Sequence, residues 1–185
     1  MSKFVHKNPF LVILIFIINI IFILYLIIPV PVLPDLPYSA KSNEPGDTTQ
    51  LKNITAYYTN QTRTQVINFY KAKYTNPITI RLNHPPEKSK EIIRDTTQSY
   101  YLEEFIIPFK ESIFVNGYEW ENDVFTKPEV RAKNKLIFKG KEYKAKITIK
   151  KFPTNIAQRL FTLLSVEIGI IYIIYFYRQF LKPKK

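Results

Sequence analysis

Apolar residues gather at the two ends of the chain instead of spreading evenly along it. The first apolar run extends from Phe10 to Ile28, 19 residues without a charge. At about 1.5 Å per residue, a helix of this length crosses a hydrocarbon core of about 30 Å. The pattern therefore predicts a transmembrane helix over residues 10–28.

The second apolar run covers residues 160–176 and contains one acid, Glu167. A run of about 17 residues is near the lower length limit for crossing a bilayer. With its flanking residues, the run predicts a second transmembrane helix over residues 157–177.

A signal peptide is the main alternative for the first run, because Lys3 and Lys7 precede it. The run is longer than the usual apolar stretch of about 7–15 residues, and no Ala-x-Ala-like cleavage site follows it. We therefore expect an uncleaved anchor.

Basic residues flank the two runs on their outer sides. Lys3 and Lys7 precede the first run, and four basic residues follow the second: Arg178, Lys182, Lys184 and Lys185. Because basic residues favour the cytoplasmic side, residues 1–9 and 178–185 are predicted to be cytoplasmic tails. The middle of the chain is then extracytoplasmic, although Lys150, Lys151 and Arg159 give an opposing bias. The expected location is the cell membrane, with two passes.

Between the runs, the composition separates a linker from a domain. Residues 29–50 contain five prolines and predict an extended, semi-rigid linker. Residues 51–152 have the length of a common domain, about 100 residues.

Short periodic segments fill this domain. Strands are predicted at 51–58 and 76–83, and helices at 62–74, with Thr62 as its cap, and at 85–98. Further strands are predicted within 99–120, with a turn at Asn116-Gly117, and a hairpin over 134–152. The expected fold is α+β: a mainly antiparallel sheet with about two helices, flanked by the two transmembrane helices.

The last hairpin is strongly basic. Residues 127–151 contain ten Lys and Arg against two acids. Lys144, Lys146, Lys150 and Lys151 are candidate contacts for anionic lipid or an acidic polymer. The alternative is a lysine-rich strand that only keeps the sheet soluble and free of unwanted pairing.

Candidate catalytic chemistry is sparse. The chain has no cysteine, two isolated histidines, His6 and His84, and no glycine-rich phosphate motif, so we expect no cofactor, no metal site and no enzyme. Glu103 and Glu104 are adjacent, so on a strand they point to opposite faces, and we expect solvated acids. An outward-facing domain also makes nucleic acid a poor partner.

Glu167 lies in the middle of the second apolar run and needs a partner there. Asn19 is at a similar depth in the first run, so the two residues are predicted to meet in an antiparallel pair. On the other side of the second helix, the small residues Thr162, Ser165 and Gly169 form a stripe suited to close contact with another helix. We favour a structural role for Glu167 over a proton or ion path.

These observations predict a two-span membrane protein with an extracytoplasmic binding or scaffolding domain that is part of a cell-envelope assembly. Its motifs indicate no named family. The alternative is an accessory subunit of a transporter or secretion complex that docks through its transmembrane helices. An envelope hydrolase is the third hypothesis. Expected partners are membrane lipid and another membrane protein or a second copy of the chain.

Overall fold

The computed structural model describes residues 9–45, 47, 52–92, 100–123 and 125–180. The chain divides into two compact units, one formed by Met1–Pro29 with Thr154–Lys185 and the other by Val30–Pro153. The described α-helices are Pro9–Ile27 (α1), Arg63–Lys73 (α2), Ser89–Ile92 (α3) and Ile156–Phe180 (α4). The described strands are Ser39–Lys41 (β1), Ile54–Thr59 (β2), Ile80–His84 (β3), Tyr101–Ile107 (β4), Glu111–Glu119 (β5), Leu136–Phe138 (β6), Lys141–Tyr143 (β7) and Ala145–Pro153 (β8).

Helices α1 and α4 make up the first unit. Both are long and apolar enough to cross a membrane, judged by length and composition. Leu26 on α1 and Arg159 on α4 are their buried residues, whereas most other side chains of the two helices are exposed. This exposure distinguishes them from the core helices of a globular protein, whose apolar faces are covered.

Six strands of the second unit form one sheet in the order β1-β2-β8-β5-β4-β3. Each neighbouring pair is antiparallel. The predicted α+β fold with an antiparallel sheet is thus confirmed. Strands β6 and β7 form a separate antiparallel hairpin.

Helix α2 begins as its sequence predicts. The Thr62 hydroxyl accepts from the backbone N–H of Gln65, and the Gln65 side chain accepts from the backbone N–H of Thr62. This reciprocal capping satisfies donors that the first turn leaves without helical partners. The helix buries Val66, Ile67 and Tyr70.

The core lies between α2 and one face of the sheet. On this face, alternate residues of β8 and β5 are buried, among them Ile147, Ile149, Ile113 and Val115. The predicted alternation along β8 is confirmed, because Ala145, Ile147 and Ile149 are buried and Lys146 and Lys150 are partly exposed. On the opposite face, a smaller cluster joins Ile54, Leu102 and Phe114, with Ile92 packed against it.

The turn predicted at Asn116-Gly117 is wrong, because both residues lie inside β5. The chain reverses instead at Pro108–Lys110, where Phe109 has a φ of 61° and Lys110 donates to the Ile107 carbonyl oxygen. Gly117 is needed for packing: a Cβ there would lie 2.1 Å from the Tyr101 ring. The close approach of this ring, and not a turn, explains the glycine.

Two other predicted elements differ in extent. The hairpin expected over 134–152 consists of the short β6–β7 pair, while β8 inserts between β2 and β5. The helix expected over 85–98 begins as a 3-10 turn, Pro86–Lys88, and continues as α3. Its remaining residues, 93–98, lie outside the described residues.

Part of the predicted linker belongs to the sheet. Within residues 29–50, β1 pairs with β2, and Leu36 is buried. Asp35 accepts hydrogen bonds from the Tyr57 hydroxyl and from Lys41, which hold the pKa of its carboxyl below the ordinary value. Four of the five prolines precede this edge strand and Pro45 follows it, so none removes an N–H donor from its ladder.

Candidate functional site

An open cleft of about 710 Å³ lies in the second unit, where the start of α2 meets the chain before β1. This volume falls within the range of about 300–1,000 Å³ that is common for ligand sites. Aromatic, amide and proline side chains line the cleft, and none of the lining residues is an acid or a base. They are Pro37, Tyr38, Asn60, Gln61, Gln65, Asn68 and Phe69. We call this the amide–aromatic cleft.

The local sequence explains how the amides are positioned. Asn60 and Gln61 follow the end of β2, directly before the Thr62 cap of α2. Gln65, Asn68 and Phe69 are three and four positions apart, so they share one face of the helix. A strand end, a capped helix start and one helical face thus converge on a single surface.

Three of the four amides are held by a hydrogen bond at one end. Asn60 Oδ1 accepts from the backbone N–H of Lys144 at 3.0 Å, and Gln61 Nε2 donates to the Pro37 carbonyl at 2.6 Å. Gln65 Oε1 accepts from the backbone N–H of Thr62 at 2.9 Å. Because each amide carries both a donor and an acceptor group, its other end remains for a ligand.

Tyr38 stands at the rim of the cleft. Its side chain is 93% exposed, and its backbone has a φ of 53°, in the left-handed region. A non-glycine residue in this region is uncommon and costs about 1–3 kcal/mol when the structure imposes it. The fold therefore holds a large aromatic ring in solvent on a strained backbone.

A second polar cluster surrounds Glu103, which is fully buried. Arg81 donates to its carboxylate from Nε at 2.6 Å and from Nη2 at 3.0 Å, and Arg63 donates to it from Nε at 3.2 Å. Burial raises the pKa of Glu103, but the hydrogen bonds and charges of Arg81 and Arg63 outweigh it and lower the pKa below its ordinary value. Glu103 is therefore charged at neutral pH and joins α2, β3 and β4.

The prediction that Glu103 and Glu104 are solvated is thus wrong for Glu103. The reason is that its strand face lies under α2, whereas Glu104 points to the other face and lies 2.7 Å from Nε2 of His84. His84, at the end of β3, and Arg63 also line a smaller cleft of about 290 Å³. With two arginines already held by one carboxylate, we interpret this cluster as a structural clamp.

The four lysines of the predicted anionic surface have different environments. Lys144 is exposed. Lys146 lies 2.9 Å from Asp47 and 3.6 Å from Glu44, and Lys150 donates to the Ile92 carbonyl at 2.9 Å. Lys151 lies on the opposite face of β8 from Lys150, beside Ile113. The four charges therefore do not form one continuous row.

The predicted membrane-helix residues are found on α1 and α4. Asn19 and Glu167 are both partly covered in helices whose residues are mostly exposed, but no hydrogen bond joins them. Asn19 Nδ2 instead donates to the Ile15 carbonyl of its own helix at 3.1 Å. The meeting of Asn19 and Glu167 stays a prediction.

The two hydroxyl groups of the small-residue stripe are hydrogen-bonded within α4. The hydroxyls of Thr162 and Ser165 donate to the carbonyls of Gln158 and Phe161, each at 2.9 Å, within their own helix. A Cβ built on Gly169 would meet nothing within 4 Å. The stripe thus has no unsatisfied hydroxyl donor and leaves space at its glycine.

Arg159 makes hydrogen bonds that the sequence did not predict. Its side chain is buried and donates from Nη1 to the Leu26 carbonyl at 3.1 Å, from Nη2 to the Thr154 carbonyl and from Nε to the Thr154 hydroxyl. The Leu26 carbonyl belongs to the last turn of α1, where helical donors are missing. Arg159 therefore fastens the end of α1 to the start of α4.

The sequence contained signals for the missed residues. Four amide residues fall between positions 60 and 68, interleaved with a helix cap, and an arginine sits in the first turn of an apolar helix.

Within the described residues, no group of three or more His, Asp and Glu is arranged to hold a metal ion. No protein family, curated protein or solved structure matches the chain.

Proposed function

We propose that this chain is a two-span membrane protein whose folded unit, Val30–Pro153, is an extracytoplasmic binding or scaffolding domain of a cell-envelope assembly. The observation that carries the proposal is the pair of long apolar helices, exposed over most of their length, that precede and follow in sequence a unit with its own core. Exposed apolar surface of this extent is expected to be covered by lipid or by another protein.

The orientation rests on charge. Lys3 and Lys7 before α1 and the basic residues after its partner helix favour cytoplasmic termini. The absence of cysteine makes a direct test possible. Single cysteines at Ser2, Phe125 and Lys184 are labelled with a membrane-impermeant maleimide in intact and in permeabilised cells.

We expect Phe125→Cys to be labelled in intact cells, and Ser2→Cys and Lys184→Cys only after permeabilisation. The protein should also remain in the membrane pellet after extraction at alkaline pH. Labelling in the reverse order would contradict the orientation, and release into the alkaline supernatant would contradict the transmembrane helices.

Anionic lipid is a proposed partner of the basic end of this domain. Lys144 is exposed, whereas Lys146 is paired with Asp47. Lys144→Glu should therefore weaken salt-dependent binding to phosphatidylglycerol vesicles more than Lys146→Met. If both variants bind the vesicles as well as the unmodified protein does, the lysines serve only to keep the domain soluble.

The alternative function, an accessory subunit that docks through its membrane helices, is favoured by one observation. The Thr162, Ser165 and Gly169 stripe of α4 offers close approach to another helix, since among the described residues outside its own stretch of helix none lies within 4 Å of a Cβ built on Gly169. Detergent-solubilised protein should then co-purify with a membrane partner, or with a second copy.

A further inference from the structure

The amide–aromatic cleft is lined by two kinds of uncharged side chain, amides and aromatic rings. Its lining provides amide donors and acceptors together with the exposed ring of Tyr38 and the partly buried ring of Phe69. We propose that the cleft binds a neutral oligosaccharide. This inference rests on the proposed role of the domain as a binding module and names its ligand class.

The amides suit hydroxyl groups because each sugar hydroxyl both donates and accepts. The bonds to Lys144, Pro37 and Thr62 leave Asn60 Nδ2, Gln61 Oε1 and Gln65 Nε2 for a ligand. Two donors and one acceptor are thus held in place before binding, and Asn68 supplies one more of each. Because these polar groups are fixed before binding, less conformational entropy is lost when the ligand binds.

The rings suit the apolar face of a pyranose. Tyr38 is 93% exposed, so its ring is available for stacking without disturbing the core. Phe69 packs edge-on against the buried Tyr70, with ring centroids 5.0 Å apart. This contact supports the Phe69 ring on one side.

The lack of charge selects among ligand classes. The lining contains no cationic side chain that could form a charge-assisted hydrogen bond with a phosphate or carboxylate. A peptide would present a main chain and charged side chains, for which the cleft has no ionic partner. A neutral oligosaccharide matches the amides through its hydroxyls and the rings through its C–H faces.

The test uses the full-length protein in lipid nanodiscs, prepared from a detergent without a sugar headgroup. Saturation-transfer NMR and titration calorimetry are run with three probes: chitotetraose, cellotetraose and maltotetraose. We expect at least one to bind, and Tyr38→Ala to weaken its binding about tenfold or more through loss of stacking. Tyr38→Phe, which keeps the ring, should restore most of the affinity.

Asn68→Ala should also weaken binding, because Asn68 lines the cleft from an exposed position on α2. Phe125→Ala, an exposed aromatic away from the cleft, is the matched control and should leave binding unchanged. Unaltered thermal unfolding of each variant shows that folding is intact.

The inference is wrong if none of the three tetrasaccharides binds, or if binding survives both Tyr38→Ala and Asn68→Ala. Binding of a blocked tetrapeptide in place of the saccharides, lost in Tyr38→Ala, would also overturn it and assign the cleft to peptides. The maleimide experiment is independent of these results, so the membrane orientation and the ligand class can fail separately.

Discussion

Arg159 donates a hydrogen bond to the carbonyl oxygen of Leu26, a residue 133 positions earlier in the chain. This hydrogen bond links the two helices of the first unit, because Arg159 lies in the first turn of α4 and Leu26 in the last turn of α1. A buried arginine at this point satisfies backbone acceptors that the helix ends leave open.

Arg159→Leu should therefore loosen the pairing of α1 and α4. Hydrogen bonds to a charged group contribute about 1.5–3 kcal/mol each, and the change removes the bond to Leu26. Cysteines placed at residues 26 and 160 should crosslink less efficiently in this background. Arg159→Lys is the matched control: it keeps the charge but loses the planar fork, so an intermediate result is expected. Undiminished crosslinking in Arg159→Leu would contradict the prediction.

Gly169→Ile tests whether α4 has a partner. Nothing lies within 4 Å of a Cβ built on Gly169, so we expect the larger side chain to leave the folded chain unaffected. Loss of a co-purifying protein or of a dimer would then be due to a partner helix that approaches closely. Ile168→Leu, on a neighbouring exposed position, should change neither. Unchanged association in Gly169→Ile would show that the stripe faces lipid.

Asn19 and Glu167 can be tested by crosslinking in this cysteine-free chain. Cysteines at both positions should form a crosslink within one chain if the helix midpoints are adjacent. Glu167→Leu should then weaken the helix pair only modestly, since hydrogen bonds in membranes average about 0.6 kcal/mol. A crosslink that forms only between chains would mean that Glu167 faces another protein.

Glu103→Gln should destabilise the second unit by about 3 kcal/mol, at the lower end of the range for removing one partner of a buried ion pair. The lower end applies because Arg63 and Arg81 are partly exposed and regain some hydration. Chemical unfolding measures the change. Glu104→Gln, on the opposite face of β4, should cost less because it loses a single contact with His84. Equal losses would contradict the clamp.

The same carboxylate predicts an acid limit to stability. Its folded pKa lies below the ordinary value of 4.5, so its contribution is complete above that pH and is lost as the pH falls through the folded pKa. The stability difference between the unmodified protein and Glu103→Gln should therefore shrink as the pH falls from 4.5 through the lower pKa of the folded state. A difference that stays constant over this range would show that the charge of Glu103 does not contribute.

The sequence predicted the features that depend on neighbours in the chain. The cap of α2 follows from Thr62 and Gln65, three positions apart, and the burial of β8 follows from its alternation. Glu103 was missed because its arginines come from 40 and 22 positions away. Gly117 was misread because an Asn-Gly pair predicts a turn locally, whereas the Tyr101 ring on the adjacent strand requires the glycine. The amide–aromatic cleft likewise forms only when residues 37 and 38 meet α2.

The position of β8 gives the two chain connections unequal mechanical strength. This strand is hydrogen-bonded on both sides, to β2 and β5, and ends at Pro153, three residues before α4 begins. The connection from α1 enters the sheet through β1, a three-residue strand bonded to β2. Bonds of an antiparallel ladder lie across the strands, so tension along β8 loads many of them at once. When force is applied through α1 and α4, we expect β1 to detach from β2 before β8 loses its hydrogen bonds to β2 and β5.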